Sequence, residues 1–151
     1  MTLKTSKLPL HRPMHLSLHS SVIGISTPSS NRSGDKFDAN IESYRKLLSA
    51  DGGMVHGLRI SGSSALDLCS VACGYLDGKK SSGSVWDVCA AWVILAEAGG
   101  MIASGKRDVG IGECMSEPDV CSKDFLMVRA APSKDEMKKW IDDFWSLMSA
   151  A

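Results

Sequence analysis

Four stretches of this chain carry apolar side chains at three- and four-residue spacing, and four short runs are apolar without that period. The first kind predicts amphipathic helices and the second predicts strands. Phe37, Ile41, Tyr44, Leu47 and Leu48 mark a helix that ends by Gly52 and Gly53. A second starts near Ser63 or Ser64, where Ser64 and Asp67 form a capping-box-like pair, and buries Leu68, Cys69, Ala72, Cys73 and Leu76 before leaving through Asp77 and Gly78. A third carries Val88, Ala91, Trp92, Leu95, Ala96 and Gly99 on its buried face and closes at Gly99 and Gly100. The last opens on a Ser133/Glu136 capping box and buries Met137, Trp140, Ile141, Phe144, Leu147 and Met148. Strands are predicted over 21–26, 54–60, 101–103 and 125–130. Residues 79–85, KKSSGSV, read as a solvated loop and 104–124 as a long polar surface loop. Strands alternating with helices predict an α/β fold, a mixed sheet with flanking helices.

Composition sets the outer bounds. A chain of 151 residues that is 44% hydrophobic and 23% charged suits one globular domain with a core of its own. Seventeen basic and seventeen acidic residues cancel, so no overall field favours nucleic acid or an acidic membrane surface. No apolar run approaches the roughly 20 residues that cross a bilayer. Cys69, Cys73 and Cys89 fall on predicted buried helix faces and, with Cys114 and Cys121, make an odd number. They read as small core residues in a reducing, cytoplasmic setting, and two more soft ligands that would turn Cys69 and Cys73 into a zinc site are missing.

The first 19 residues read as an irregular arm ahead of an α/β domain over 20–149. No acidic residue precedes Asp35, while Lys4, Lys7, Arg12 and Arg32 stand among serines, which is a transit-peptide composition. Pro9 and Pro13 interrupt any amphipathic helix there, so the reading favours an irregular start from a truncated or misjoined frame. His11, His15 and His19 would align three imidazoles on a helix, and Pro13 breaks that helix. His56 reads as a hydrogen-bonded structural histidine.

The candidate chemistry lies in the two central helices. Asp87 stands on the first turn of its helix, where the positive end of the helix dipole steadies an ionised carboxylate, and such a carboxylate binds hard cations. Taken alone, Asp87 reads first as a helix cap. The wider pattern changes the weighting. GSSALDLC over 62–69, a short gap, then Trp86-Asp87-Val88 and a closing Glu97-Ala98-Gly99-Gly100 resembles the inositol monophosphatase family. The resemblance is carried by residues 52–78 and 86–103, and GGMVHGLRISGSSALDLC is most similar to the fungal quinate-cluster branch.

The resemblance implies the C-terminal α/β domain of that family and a Mg²⁺-dependent hydrolysis of a small polyol phosphate such as myo-inositol monophosphate. Asp87 matches the family's last metal ligand, and the turn at Gly62, Ser63 and Ser64 matches part of the polyol pocket. Divalent ions suit such a reaction because a phosphoryl group in transfer is multiply negative. The family's metal-binding Glu and its Asp-Pro-Ile-Asp-Gly-Thr loop have no counterpart here. Asp35/Asp38 and Glu117-Pro118-Asp119 have neither that spacing nor that context, and read as solvated loops. Ser81 stands where the family places a Glu that receives polyol hydroxyls, and Lys79 and Lys80 replace aromatic positions. The isolated chain is therefore expected to hydrolyse little or nothing. It would associate with itself or with a chain carrying the missing N-terminal half. The alternative reading is a non-catalytic module that binds polyol phosphates or regulates a quinate pathway, and a third is a fragment with no stable fold.

Overall fold

The computed structural model describes residues 6–10, 13–26, 32–81, 85–104 and 125–148. Its centre is a five-stranded sheet built from β1 (Val22–Gly24), β2 (Gly57–Arg59), β3 (Gly78–Ser81), β4 (Met101–Ser104) and β5 (Phe125–Val128), in the order β2-β1-β3-β5-β4. β1 runs parallel to both β2 and β3, whereas β5 runs antiparallel to β3 and β4. Four strands therefore point one way and β5 the other. The α/β architecture with a mixed sheet and flanking helices is the one the residue pattern predicts.

Alternation along β5 shows how the sheet divides two cores. Leu126 and Val128 join Ile23, Leu47, Trp140 and Phe144 on one face, while Phe125 and Met127 join Leu68, Val71, Val88 and Leu95 on the other. The first face is covered by α1 (Asp35–Leu48) and α4 (Lys134–Leu147), the second by α2 (Ser64–Cys73) and α3 (Val85–Glu97). α4 forms as the stripe predicts, with Met137, Trp140, Ile141 and Phe144 buried. Ser133 caps it by accepting the Glu136 N–H at 3.2 Å. The Glu136 carboxylate does not complete the box. It turns outward to accept the Leu16 N–H at 3.2 Å and to pair with His15 Nδ1 at 2.9 Å.

Several elements differ from the pattern's prediction. α1 forms, but only Leu47 of its predicted stripe is buried; Ile41 and Leu48 face solvent because α1 lies at the rim of the core, and Ser43 takes an inner position by donating its hydroxyl to Ala39 O. Asp35 and Asp38 lie in the first turn of this helix, not in a loop. α2 is capped by Ser63, which accepts from the Leu66 N–H, so Ser64 and Asp67 make no capping box. It ends at Gly74, whose φ of 86° only glycine adopts without strain, three residues earlier than the Asp77-Gly78 exit. His56 is exposed, and only its backbone N–H is bonded, to Ser21 O at 2.9 Å. Cys69 and Cys73 are partly buried and Cys89 is exposed, so Cys89 is no core residue.

The largest difference is the lysine run. Gly78–Ser81 is no solvated loop: it is the central strand, and Lys79 is 2% exposed. Three contacts let so polar a segment sit there. Lys79 Nζ lies 2.6 Å from Asp67 Oδ2 on α2, with both side chains buried. The contact is an ion pair buried on both sides, which offsets the cost of taking either charge out of water. The lysine stem lies over Gly24, the one residue small enough to leave it room. On the opposite face Gly78 lies under the indole of Trp140, where a Cβ would collide with the ring and with Met127 O.

Asp77, just before β3, ties the strands together. Its carboxylate accepts the Val22 N–H and the Arg129 Nε–H, each at 2.7 Å. Arg129 then donates to the carbonyls of Met14 at 2.9 Å and His15 at 3.2 Å, which fastens the stretch before β1 to the body. Leu16 and Leu18 of that stretch belong to the core. The polar segment 105–124, with Cys114, Cys121 and Glu117-Pro118-Asp119, lies outside the described residues, as does His11.

Two substitutions test this packing by chemical denaturation. Gly78→Ala is expected to lower stability by about 1–3 kcal/mol or more, because the added methyl has no space under Trp140. Lys79→Met leaves Asp67 buried without its counter-charge and is expected to cost about 3–5 kcal/mol, most of it recovered when Asp67→Leu is added. An additive double variant would show that the two side chains do not act as a pair.

Candidate functional site

β1 is followed by α1 on one face of the sheet, and its neighbour β3 by α3 on the other. Where the connections of adjacent parallel strands diverge in this way, a crevice opens at their carboxyl ends, and ligands of open α/β sheets bind there. α2 follows β2 and α3 follows β3, so both helices begin at this same edge and point their N-termini, the positive ends of their dipoles, toward it.

The residues singled out from the sequence gather at that edge. Gly62 takes a φ of 80° in the turn after β2, with open space where a side chain would stand. Ser63 caps α2, and Ser61 Oγ braces the turn by accepting the Ser63 N–H at 3.2 Å. Ser64 is the first residue of α2 and Ser81 the last of β3; Ser81 Oγ donates to Ser64 Oγ at 2.9 Å. Strand and helix are thus joined by a neutral hydroxyl pair at the edge and by the Lys79–Asp67 ion pair one step further in. Ser81 is buried, whereas Gly62 is exposed and Ser63 and Ser64 are partly so.

Asp87 lies in the first turn of α3, six residues beyond Ser81, with its side chain partly exposed. It is neither sunk in hydrocarbon nor displaced to the far end of its helix. Trp86 beside it is 79% exposed. Among the described residues no three His, Cys, Asp or Glu side chains come together closely enough to hold a metal ion. The described chain therefore offers one carboxylate at the crevice and does not by itself build a cation site.

The ion pair of Asp67 with Lys79 and the tie of Asp77 to Arg129 were not among the residues singled out. A signal for the first was present. Asp67 falls on the inner face of α2 beside Leu68 and Val71, and a lone acid at a core position requires a buried cation. Its partner, Lys79, stands in a run whose composition reads as a loop.

Comparison with known proteins places the chain. The model of the inositol monophosphatase family matches residues 1–149. Inositol monophosphatase 1 of Saccharomyces cerevisiae is 42% identical over 134 residues, which cover 87% of this chain and 43% of the yeast protein. Quinic acid degradation cluster protein x of Neurospora crassa is 45% identical over 91 residues, covering 56% of this chain and 26% of that one. Among solved structures, inositol monophosphatase from Anabaena superposes with a TM-score of 0.62 at 25% identity, over 87% of this chain and 48% of that one. The chain thus spans about half the length of the curated relatives and structures it matches, and among its described residues no helix is long and apolar enough to cross a membrane. With the family model matching residues 1–149 of the chain, this chain belongs to the inositol monophosphatase family.

Proposed function

We propose that this chain supplies one side of a Mg²⁺-dependent phosphomonoesterase site acting on a small polyol phosphate such as myo-inositol monophosphate. The observation that carries the reading is the convergence of Asp87, the Gly62–Ser64 turn and Ser81 at the carboxyl edge of β1 and β3. Asp87 would contribute a single oxygen ligand to the metal, and the remaining ligands would come from the part of the fold that this chain does not span. Magnesium, when bound, would neutralise the charge that develops on the transferring phosphoryl group. This chain's own residues position: the turn and the first turn of α2 present N–H and hydroxyl donors to a polyol or to its phosphate. Ser81 and Ser64 give this edge a neutral hydroxyl pair where the family resemblance places a carboxylate. The reducing cytoplasm is the setting this reading favours, and the three free thiols among the described residues support it.

A second reading has a specific observation behind it. Among the described residues no three His, Cys, Asp or Glu side chains are placed to share a metal ion, which suits a non-catalytic module that binds a polyol phosphate without metal.

One experiment separates them. The chain alone is expected to release no measurable phosphate from myo-inositol monophosphate with Mg²⁺ present. Joined in one polypeptide to the part of yeast inositol monophosphatase 1 outside its match, it is expected to release phosphate only with Mg²⁺. Asp87→Asn in the joined protein should lower that rate by about 100-fold or more, as loss of several kcal/mol of charge stabilisation requires. Activity indifferent to Asp87→Asn would overturn the assignment of Asp87. Metal-independent polyol phosphate binding by the chain alone, read by calorimetry, would favour the module.

A further inference from the structure

Ser81 and Ser64 meet at the crevice, and the direction of their bond decides what this edge offers a ligand. Ser81 is 1% exposed, and its Oγ lies 2.9 Å from Ser64 Oγ. Among the described residues its side chain has no other partner, so a proton turned elsewhere would be buried unpaired. Ser81 therefore donates and Ser64 accepts. The proton of Ser64 is left over. Ser64 is partly exposed at the start of α2, and its hydroxyl reaches no acceptor among the described residues.

The backbone beside it adds donors. The first bonds of α2 go to Ser63, whose Oγ accepts the Leu66 N–H and whose carbonyl accepts the Asp67 N–H. The N–H groups of Ser64 and Ala65 precede these and stay open, as the leading amides of a helix do. Gly62, with open space where a side chain would stand, lets a ligand come close to the turn. Neither serine hydroxyl is bonded to a charged group among the described residues. Lys79, the nearest cation along the strand on this face, is already paired with Asp67, and strand alternation puts Lys80 on the face of Gly78.

A substrate hydroxyl needs an acceptor for its proton, whereas this edge presents protons. The group that fits has lone pairs and no proton of its own. A carboxylate brings two such oxygens and a single charge, which fixed N–H and O–H donors hold well. A second phosphate, with its higher charge, calls for a free cation that the pair does not have. We propose that the Ser81–Ser64 pair makes this pocket select phosphorylated polyols that carry a carboxylate, the phosphorylated sugar acids, over those that carry hydroxyls alone. Ser64 is then the specificity-determining residue that meets the ligand, and Ser81 is the positioning residue that turns the Ser64 proton outward. The proposal rests on the reading above that this edge faces a phosphorylated polyol.

6-Phosphogluconate and glucitol 6-phosphate test it, since they share a carbon chain and differ at the end remote from the phosphate, a carboxylate in one and a hydroxymethyl group in the other. In the joined protein described above, with Mg²⁺, kcat/KM for 6-phosphogluconate is expected to exceed that for glucitol 6-phosphate by about tenfold, the worth of one charge-assisted hydrogen bond. Ser64→Asp puts an acid at the first position of a helix, where it is well tolerated, and is expected to reverse the preference. Ser81→Ala should narrow the ratio, whereas a merely structural role would lower both rates together. Calorimetry without Mg²⁺, on the joined protein and on the chain alone, compares binding of the two compounds apart from catalysis. Equal values for both, a preference for glucitol 6-phosphate, a preference that Ser64→Asp leaves intact, or binding of neither would overturn the proposal. Tighter binding of 6-phosphogluconate that depends on Ser64, without phosphate release from either compound, would uphold the selection while the catalytic reading falls. Phosphate release from both at equal rates would do the opposite.

Discussion

The buried ion pair between Lys79 and Asp67 is the contact on which the rest of the structure depends. β3 is the strand through which the parallel half of the sheet, β2 and β1, meets the antiparallel half, β5 and β4. A strand reading Gly-Lys-Lys-Ser has little hydrophobic reason to occupy that position. It is held there by side chains that satisfy one another. Lys79 meets Asp67 and Ser81 meets Ser64, both on α2, while Gly78 leaves room for Trp140 on the other face. An ion pair of this kind adds little net stability over a well-packed apolar pair, but it penalises any arrangement in which one partner is buried without the other. It therefore fixes α2 over β3 more than it strengthens either.

That placement is what assembles the candidate site. The turn after β2, the end of β3 and the start of α3 are separate in sequence and come together because α2 crosses above β1 to reach β3. Ser64 and Ser81 touch only if that crossing is in register. The same register brings the N-termini of α2 and α3 to one edge, and so puts Asp87 on the same side of the sheet as the Gly62–Ser64 turn. Asp77 and Arg129 anchor the other end of β3 to Val22 and to the stretch that precedes β1. The chemistry at one edge and the fastening at the other are thus two ends of a single strand.

By themselves, the residues determined most of the helices, the α/β class and the family. Periodicity over 10 to 14 residues accumulates enough apolar contrast to mark α4, α2 and α3, and the glycine-serine turn and the Trp86-Asp87 pair are specific in spacing. What only the tertiary structure decided were the features that depend on a partner distant in sequence. Lys79 looks like a solvated residue until Asp67, twelve positions earlier, arrives beside it, and Asp67 looks like a cap until the lysine is buried. Cys89 and Ile41 fit apolar stripes, yet which part of a stripe meets the sheet depends on how each helix is rotated against it. Local pattern records a side chain's own preference for water, whereas burial of a charge or exposure of a hydrocarbon is settled by what the fold brings alongside.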